Sequence, residues 1–222
     1  MQTENRQEPV MLAANENGFV TRVHFPEVIG DKIATGEFLS AASEVVRIVE
    51  KLGKIFAPVK YDMQGNINKL NSRFAMNKEK NATLQEMILL EVASVTPGSI
   101  HIATDALMWL TRALHMILVF FELIVMDNKL GSPTEDLVAT LRIAYEKALE
   151  PYHGWMAQQL FGLLSRAVPA RAQLLKSLAD GQNVDNDALL KEMESYLINL
   201  RKNVQTIQEF YRSNNLEQMV VA

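Results

Sequence analysis

The 222-residue chain reads as a single all-α domain of about eight helices, and three observations carry that reading. Apolar residues recur at helical spacing through most of the sequence. Leu, Ile, Val, Met and Ala supply most of the 48% apolar content, while aromatic residues reach only 7%, a mix that favours helices over sheets. No segment alternates apolar and polar residues with a period of two, and no internal repeat is present.

The elements are justified in chain order. Residues 1–23 lack sustained periodicity and read as a flexible leader, with the folded domain at 24–222. From Gly36 to Gly53, Phe38, Ala41, Ala42, Val45, Val46, Ile48, Val49 and Leu52 form a broad apolar stripe. Pro58 precedes a second helix, Tyr61 to Phe74. A third runs from Thr83 to Val95, with Thr83 and Glu86 at capping-box spacing. Pro97-Gly98 breaks the chain. The helix from Ile100 to Met126 is the most apolar, and membrane-span length is its obvious alternative. Asp105, Arg112, His115 and Glu122 interrupt it at a density that hydrocarbon penalises, which makes it a buried central helix. Ser132-Pro133-Thr134-Glu135 has the layout of a helix start, and that helix continues to Leu149. Pro151 starts or kinks the next helix, Pro169 and Asp180-Gly181 punctuate the stretch after it, and a last long helix spans Asp185 to Arg212.

Composition removes several function classes. Without cysteine there is no disulfide scaffold, thiol catalysis or thiolate-bound zinc. The net charge of −4 argues against nucleic acid as a partner. The excess is local: residues 1–50 hold eight acidic and four basic side chains, and the remainder is balanced. No basic start followed by an apolar run is present, so the cytosol is the expected compartment. His24, His101, His115 and His153 are scattered and lack metal-ligand spacing. Phosphate-binding glycine loops and nucleophile signatures are missing, and neither an enzyme nor a cofactor is expected.

Three constellations carry chemistry. Asp62, Asn66 and Lys69 sit four and three residues apart and share one helix face. They offer an acceptor, an amide that both donates and accepts, and a cationic donor. That set suits a ligand rich in hydroxyls; an ordinary solvated face with an Asp–Lys attraction has the same spacing. Asp105, Trp109, Arg112 and Met116 form a stripe on the central helix. Trp109 is there either as a stacking platform for a sugar or as a core ring beside a snorkelling arginine. Tyr152, His153 and Trp155 crowd three polar-tipped rings at a helix junction, the makings of a ligand mouth, a membrane-interface anchor or a packed corner.

Together these segments resemble the glycolipid transfer protein family. The matching text is APVKYDMQGNINKL at 57–70, ALMWLTRAL at 106–114, YEKALEPYHGWMAQQLF at 145–161 and LLKSLADGQNV at 174–184. The resemblance implies an all-α, two-layer helical sandwich enclosing a lipid chamber. It implies that Asp62, Asn66 and Lys69 bond a sugar headgroup stacked on Trp109, and that His153 and Asp62 hold the ceramide amide. By the same resemblance Met116, Phe120, Phe161, Leu164, Leu174 and Tyr196 line the hydrocarbon pocket, and Trp155 docks on the membrane. Met116, Leu174 and Tyr196 stand where relatives often carry Phe, and the end, Glu217 to Ala222, lacks the aromatic some relatives use at the sugar. The implied function is energy-independent transfer of a glycosylceramide between membranes, with transient surface contact. Two alternatives stay open: a ceramide-1-phosphate carrier of the same fold, and a glycolipid sensor or adaptor acting through a protein partner.

Overall fold

The computed structural model describes residues 23–94, 100–131, 133–180 and 185–219. Eight α-helices are present among them: α1 (Thr35–Lys51), α2 (Ala57–Met76), α3 (Leu84–Ser94), α4 (Ile102–Lys129), α5 (Val138–Ala148), α6 (Trp155–Leu164), α7 (Arg171–Leu178) and α8 (Asn186–Ser213). Short 3-10 turns follow α1, α5, α6 and α8. Among the described residues there is no strand, only the isolated bridges Ile29–Lys32 and Ala34–Thr83. The all-α reading holds. The leader and the Pro97-Gly98 break lie outside the described residues, apart from Val23.

The helix α4 is the hub, packing against α2, α5 and α8, while α1 lies on α2 and reaches α7. Burial of apolar surface organises this arrangement. Phe38, Ala41, Ala42, Val45, Ile48 and Val49 of α1 are buried, as are Met63, Ile67 and Leu70 of α2. By length and composition α4 could cross a bilayer, yet its apolar side chains are mostly inside the protein, as the interrupting charges imply. Gly53, at φ 111, turns the chain after α1 in a conformation that favours glycine.

Element boundaries differ from expectation most clearly in three places, one being Pro151, which lies in the 3-10 turn Glu150–Tyr152 ahead of α6 instead of starting that helix. Pro58 sits in the first turn of α2 rather than ahead of it, because its missing N–H has no intrahelical partner there anyway. The segment around Pro133 does not start α5. Thr134 N–H instead donates to Asp127 Oδ2 at 2.7 Å, and the first turn of α5 is held by Asp136 Oδ1, which accepts from Val138 N–H at 2.9 Å. Ser132 lies outside the described residues. At α3 the Thr83 Oγ1 accepts from Glu86 N–H at 3.3 Å and donates to Glu86 Oε2 at 2.9 Å, so the expected pair does cap that helix.

Two buried ionisable residues tie the hub down. Glu91, on α3 and 5% exposed, accepts from Ala103 N–H (2.9 Å), Thr104 N–H (2.7 Å) and Thr104 Oγ1 (2.8 Å). A carboxylate thus satisfies orphan donors at the positive end of α4. At the opposite end, Arg171 of α7 donates to the Ile124 carbonyl at 3.3 and 3.2 Å and to Asn128 Oδ1 at 3.2 Å. A cation there meets the helix's negative end.

Candidate functional site

The packing of α2 on α4 brings together residues far apart in sequence. On α2, Asn66 Nδ2 donates to Asp62 Oδ2 at 3.4 Å, and Lys69 Nζ donates to Asn66 Oδ1 at 3.4 Å. The three residues therefore form one chain of polar contacts along a single face. Asn66 is buried, while Asp62 and Lys69 stand at the surface. Gly65, beside them, has nothing within 4 Å of where a Cβ would stand, leaving bare backbone open to a ligand.

Across from this face, the Trp109 ring on α4 stacks on the His153 imidazole, with centroids 5.7 Å apart and planes at 24°. The Arg112 guanidinium, one turn along α4, lies 4.6 Å from the Trp109 ring centroid and 3.7 Å from that of Tyr152. Arg112 is thus held between two ring faces. His153 is fixed from behind: Tyr145 Oη and His153 Nδ1 are 3.0 Å apart. Gln158 Nε2 donates to the His153 carbonyl at 2.9 Å and pins the junction between α5 and α6.

Burial sets the protonation states. Desolvation pushes the Tyr145 phenol up to about 12, with Glu150 adding to it, so its proton is available to Nδ1. When Tyr145 donates to Nδ1, the imidazole proton stands on Nε2 as a donor. His153 itself is lowered from its ordinary value by desolvation and by Arg112, against the pull of Asp62. It is neutral at pH 7. Asp62 is raised, chiefly by desolvation and further by Asp105, while Lys69 and His153 oppose the rise.

The sign of this last effect yields a prediction. A carboxyl whose folded value is raised destabilises the fold once ionised; the cost is complete above the folded value and fades as pH falls toward the ordinary 3.8. Asp62→Asn is therefore expected to raise the thermal midpoint slightly at pH 7, since the group still touches water. It is also expected to weaken a hydroxyl-rich ligand about tenfold or more by removing charge-assisted bonds. A melt at pH 7 and a binding titration read both; a lower midpoint would show that the carboxylate serves the fold instead.

The remaining expected residues fall into two groups. Met116, Phe120, Phe161, Leu164, Leu174 and Tyr196 are all buried and belong to one continuous core. Phe161 stacks on Tyr145 with centroids 3.7 Å apart and planes at 7°. Trp155, by contrast, is 72% exposed on α6, and with Met156, Leu160 and Leu163 it forms an apolar outer face. Tyr145 and Tyr152 are legible in the sequence only as nearby rings; nothing in the spacing singles out their contacts with His153 and Arg112.

Residues 33–180 match the family described as Glycolipid transfer protein (GLTP). The Glycolipid transfer protein of Danio rerio is 32% identical over 198 residues, covering 87% of this chain and 94% of that one. Pleckstrin homology domain-containing family A member 8 of Homo sapiens is 32% identical over 191 residues, 83% of this chain, and the match spans only 36% of that protein's length. Among solved structures, one addressing how FAPP2 selects simple glycosphingolipids using the GLTP-fold gives a TM-score of 0.77 at 30% identity, over 94% of this chain and 98% of that one. The human ceramide-1-phosphate transfer protein bound to 12:0 ceramide-1-phosphate shares the fold, with a TM-score of 0.73 at 18% identity over 85% and 91% of the two chains.

Proposed function

This chain belongs to the glycolipid transfer protein family, whose members are lipid carriers rather than enzymes, and from that premise we propose that it transfers a glycosylceramide between membranes. The observation that carries the reading is the pairing of the Asp62–Asn66–Lys69 face with the Trp109–His153 stack. Donors and acceptors on α2 answer the hydroxyls of a sugar lying on the apolar face of Trp109. Asp62 takes the amide N–H of the ceramide, and His153 donates from Nε2 to its carbonyl. Arg112, between Trp109 and Tyr152, keeps the platform from turning.

The energetics explain why a protein is needed. A ceramide carries roughly 30 methylenes, and at about 0.8 kcal/mol each their full exposure costs on the order of 20 kcal/mol. Residues such as Met116, Phe120, Phe161, Leu164, Leu174 and Tyr196 offer an interior as apolar as the bilayer, so the tails cross without an energy source. Head selection then rests on polar matching, where an unmatched buried group is penalised. The exposed α6 face of Trp155, Met156, Leu160 and Leu163 supplies a shallow foothold on the membrane. With no basic excess overall, surface contact is brief and reversible. Residues 24–222 act as one carrier domain working from the cytosol.

Native mass spectrometry tests the reading. Protein is exposed to vesicles holding equal glucosylceramide and ceramide-1-phosphate in phosphatidylcholine. The expected retained mass is that of a monohexosylceramide; retention of ceramide-1-phosphate instead would assign the chain to the phosphate-headed branch of the fold.

A further inference from the structure

With no cysteine in the chain, methionine is the side chain that oxidises reversibly, and exposure decides where a peroxide acts. Met63, Met87, Met108, Met116 and Met193 are buried, while Met76, Met126 and Met156 are 73%, 53% and 78% exposed. The three exposed sulfurs differ in their surroundings. Met76 Sδ accepts from Arg73 Nη1 at 3.9 Å, and a cation there draws on the lone pair an oxidant must meet. Met126, the least exposed of the three, sits on α4 between Glu122 and Lys129, each engaged in an ion pair with α8. Met156 is the most accessible.

Its place on the helix also sets Met156 apart. It stands in the first turn of α6, four and seven residues ahead of Leu160 and Leu163, so the three share one outward stripe with Trp155 at its edge. Phe161 and Leu164 are buried against the core, and Gln158 reaches back to the His153 carbonyl. An oxygen atom added at Met156 therefore meets solvent and leaves the inner contacts of α6 in place.

The geometry points to Met156 as an oxidation site that governs how this face holds a bilayer. The sulfur lone pair attacks one oxygen of hydrogen peroxide, the O–O bond breaks, and water leaves. The thioether becomes a sulfoxide, a polar group with a strong acceptor oxygen. A reductase reverses the step with two thiols, which become a disulfide while the oxygen departs as water. With no basic excess overall, the hold on a membrane rests on Trp155, Met156, Leu160 and Leu163, so making one of them polar removes a large share of it. Oxidised protein keeps its headgroup site and loses its foothold. This inference rests on the use of α6 as a membrane foothold in the carrier reading and adds a redox control to it.

The test treats the full chain with dilute hydrogen peroxide, maps sulfoxides by peptide mass spectrometry and measures adsorption to phosphatidylcholine vesicles. Sulfoxide is expected at Met156 ahead of Met126 and Met76, with adsorption reduced about tenfold and the helical circular dichroism spectrum unchanged. Methionine sulfoxide reductase with a thiol should restore adsorption. Each variant is compared with its own untreated sample: Met156→Leu should lose almost nothing on treatment, whereas Met126→Leu and Met76→Leu should lose as much as wild type. Equal losses in wild type and Met156→Leu would overturn the assignment, as would complete oxidation of Met156 with adsorption unchanged. Binding of short-chain glucosylceramide without vesicles is followed in parallel and should survive oxidation; its loss together with adsorption would mean general damage and overturn the site. Untreated protein that does not adsorb overturns the foothold and this inference with it. If untreated protein adsorbs but neither binds nor moves glucosylceramide, the carrier reading fails while the adsorption ratios still decide the oxidation site.

Discussion

Replacing Trp109 with alanine is expected to bring glycosylceramide transfer between vesicles close to background while the helical circular dichroism spectrum persists. Two observed contacts disappear, the stack on His153 and one face of the Arg112 sandwich, together with the proposed platform for the sugar. Aromatic stacking contributes about 0.5–1.5 kcal/mol and a partly desolvated cation–π contact about as much again. Their combined loss, about 1–3 kcal/mol, corresponds to a drop in affinity of roughly fivefold to 150-fold. Trp109 is only half-buried and leans on the core from its edge, so the fold survives its removal. Trp109→Phe retains a smaller ring and should recover part of the rate. Transfer by the alanine variant at the wild-type rate would exclude Trp109 as the sugar platform.

The largest effect on stability is expected far from the ligand, at Glu91. Glu91→Leu fills much the same space but strips acceptors from Ala103 N–H, Thr104 N–H and Thr104 Oγ1 inside the protein. Removing one partner of a buried charged network costs about 3–5 kcal/mol, a large share of the roughly 5–15 kcal/mol that holds a domain folded. For a chain of this length the thermal midpoint should fall by on the order of 10 °C, readable by calorimetry or a denaturant series. Glu91→Gln, which keeps acceptor oxygen, should lose less. The same turn receives Tyr211 Oη, which donates to the Thr104 carbonyl at 2.6 Å and secures the end of α8. Loss of Glu91 therefore loosens the attachment of α8 as well as the start of α4. A midpoint within about 2 °C of wild type, the shift for roughly half a kcal/mol, would mean the helix start finds other acceptors.

The range of each interaction decides whether the sequence betrays it. The stripe of α1 and the apolar run of α4 announce themselves because burial imposes a helical period on neighbouring residues. The Asp62–Asn66–Lys69 face is equally visible, since spacings of four and three set which side chains meet on a helix. Glu91 and Arg171 give no such signal. Their partners are the backbone at Ala103 and Thr104 and at Ile124, and nothing in a local pattern says which distant helix end a charged side chain will cap. The misplaced start of α5 has a related cause. Pro133-Thr134-Glu135 has suitable chemistry for a helix start, but Asp127 takes the Thr134 N–H and holds that stretch outside the helix. Asp136, two residues before Val138, does the capping instead.

The near-parallel stack of Phe161 on Tyr145 has a consequence for how this chain handles a whole ligand. Tyr145 touches the imidazole of His153 through its hydroxyl and the ring of Phe161 through its face. One side chain thus belongs to both the greasy interior and the polar mouth. An acyl tail that pushes Phe161 aside must shift Tyr145, and with it the hydrogen bond that orients His153. Tail and head are then thermodynamically reciprocal: whatever factor a given tail imposes on head affinity, the head imposes on that tail. On the carrier reading, tail length and head affinity are therefore expected to be coupled, and a transfer series that varies both together measures that coupling.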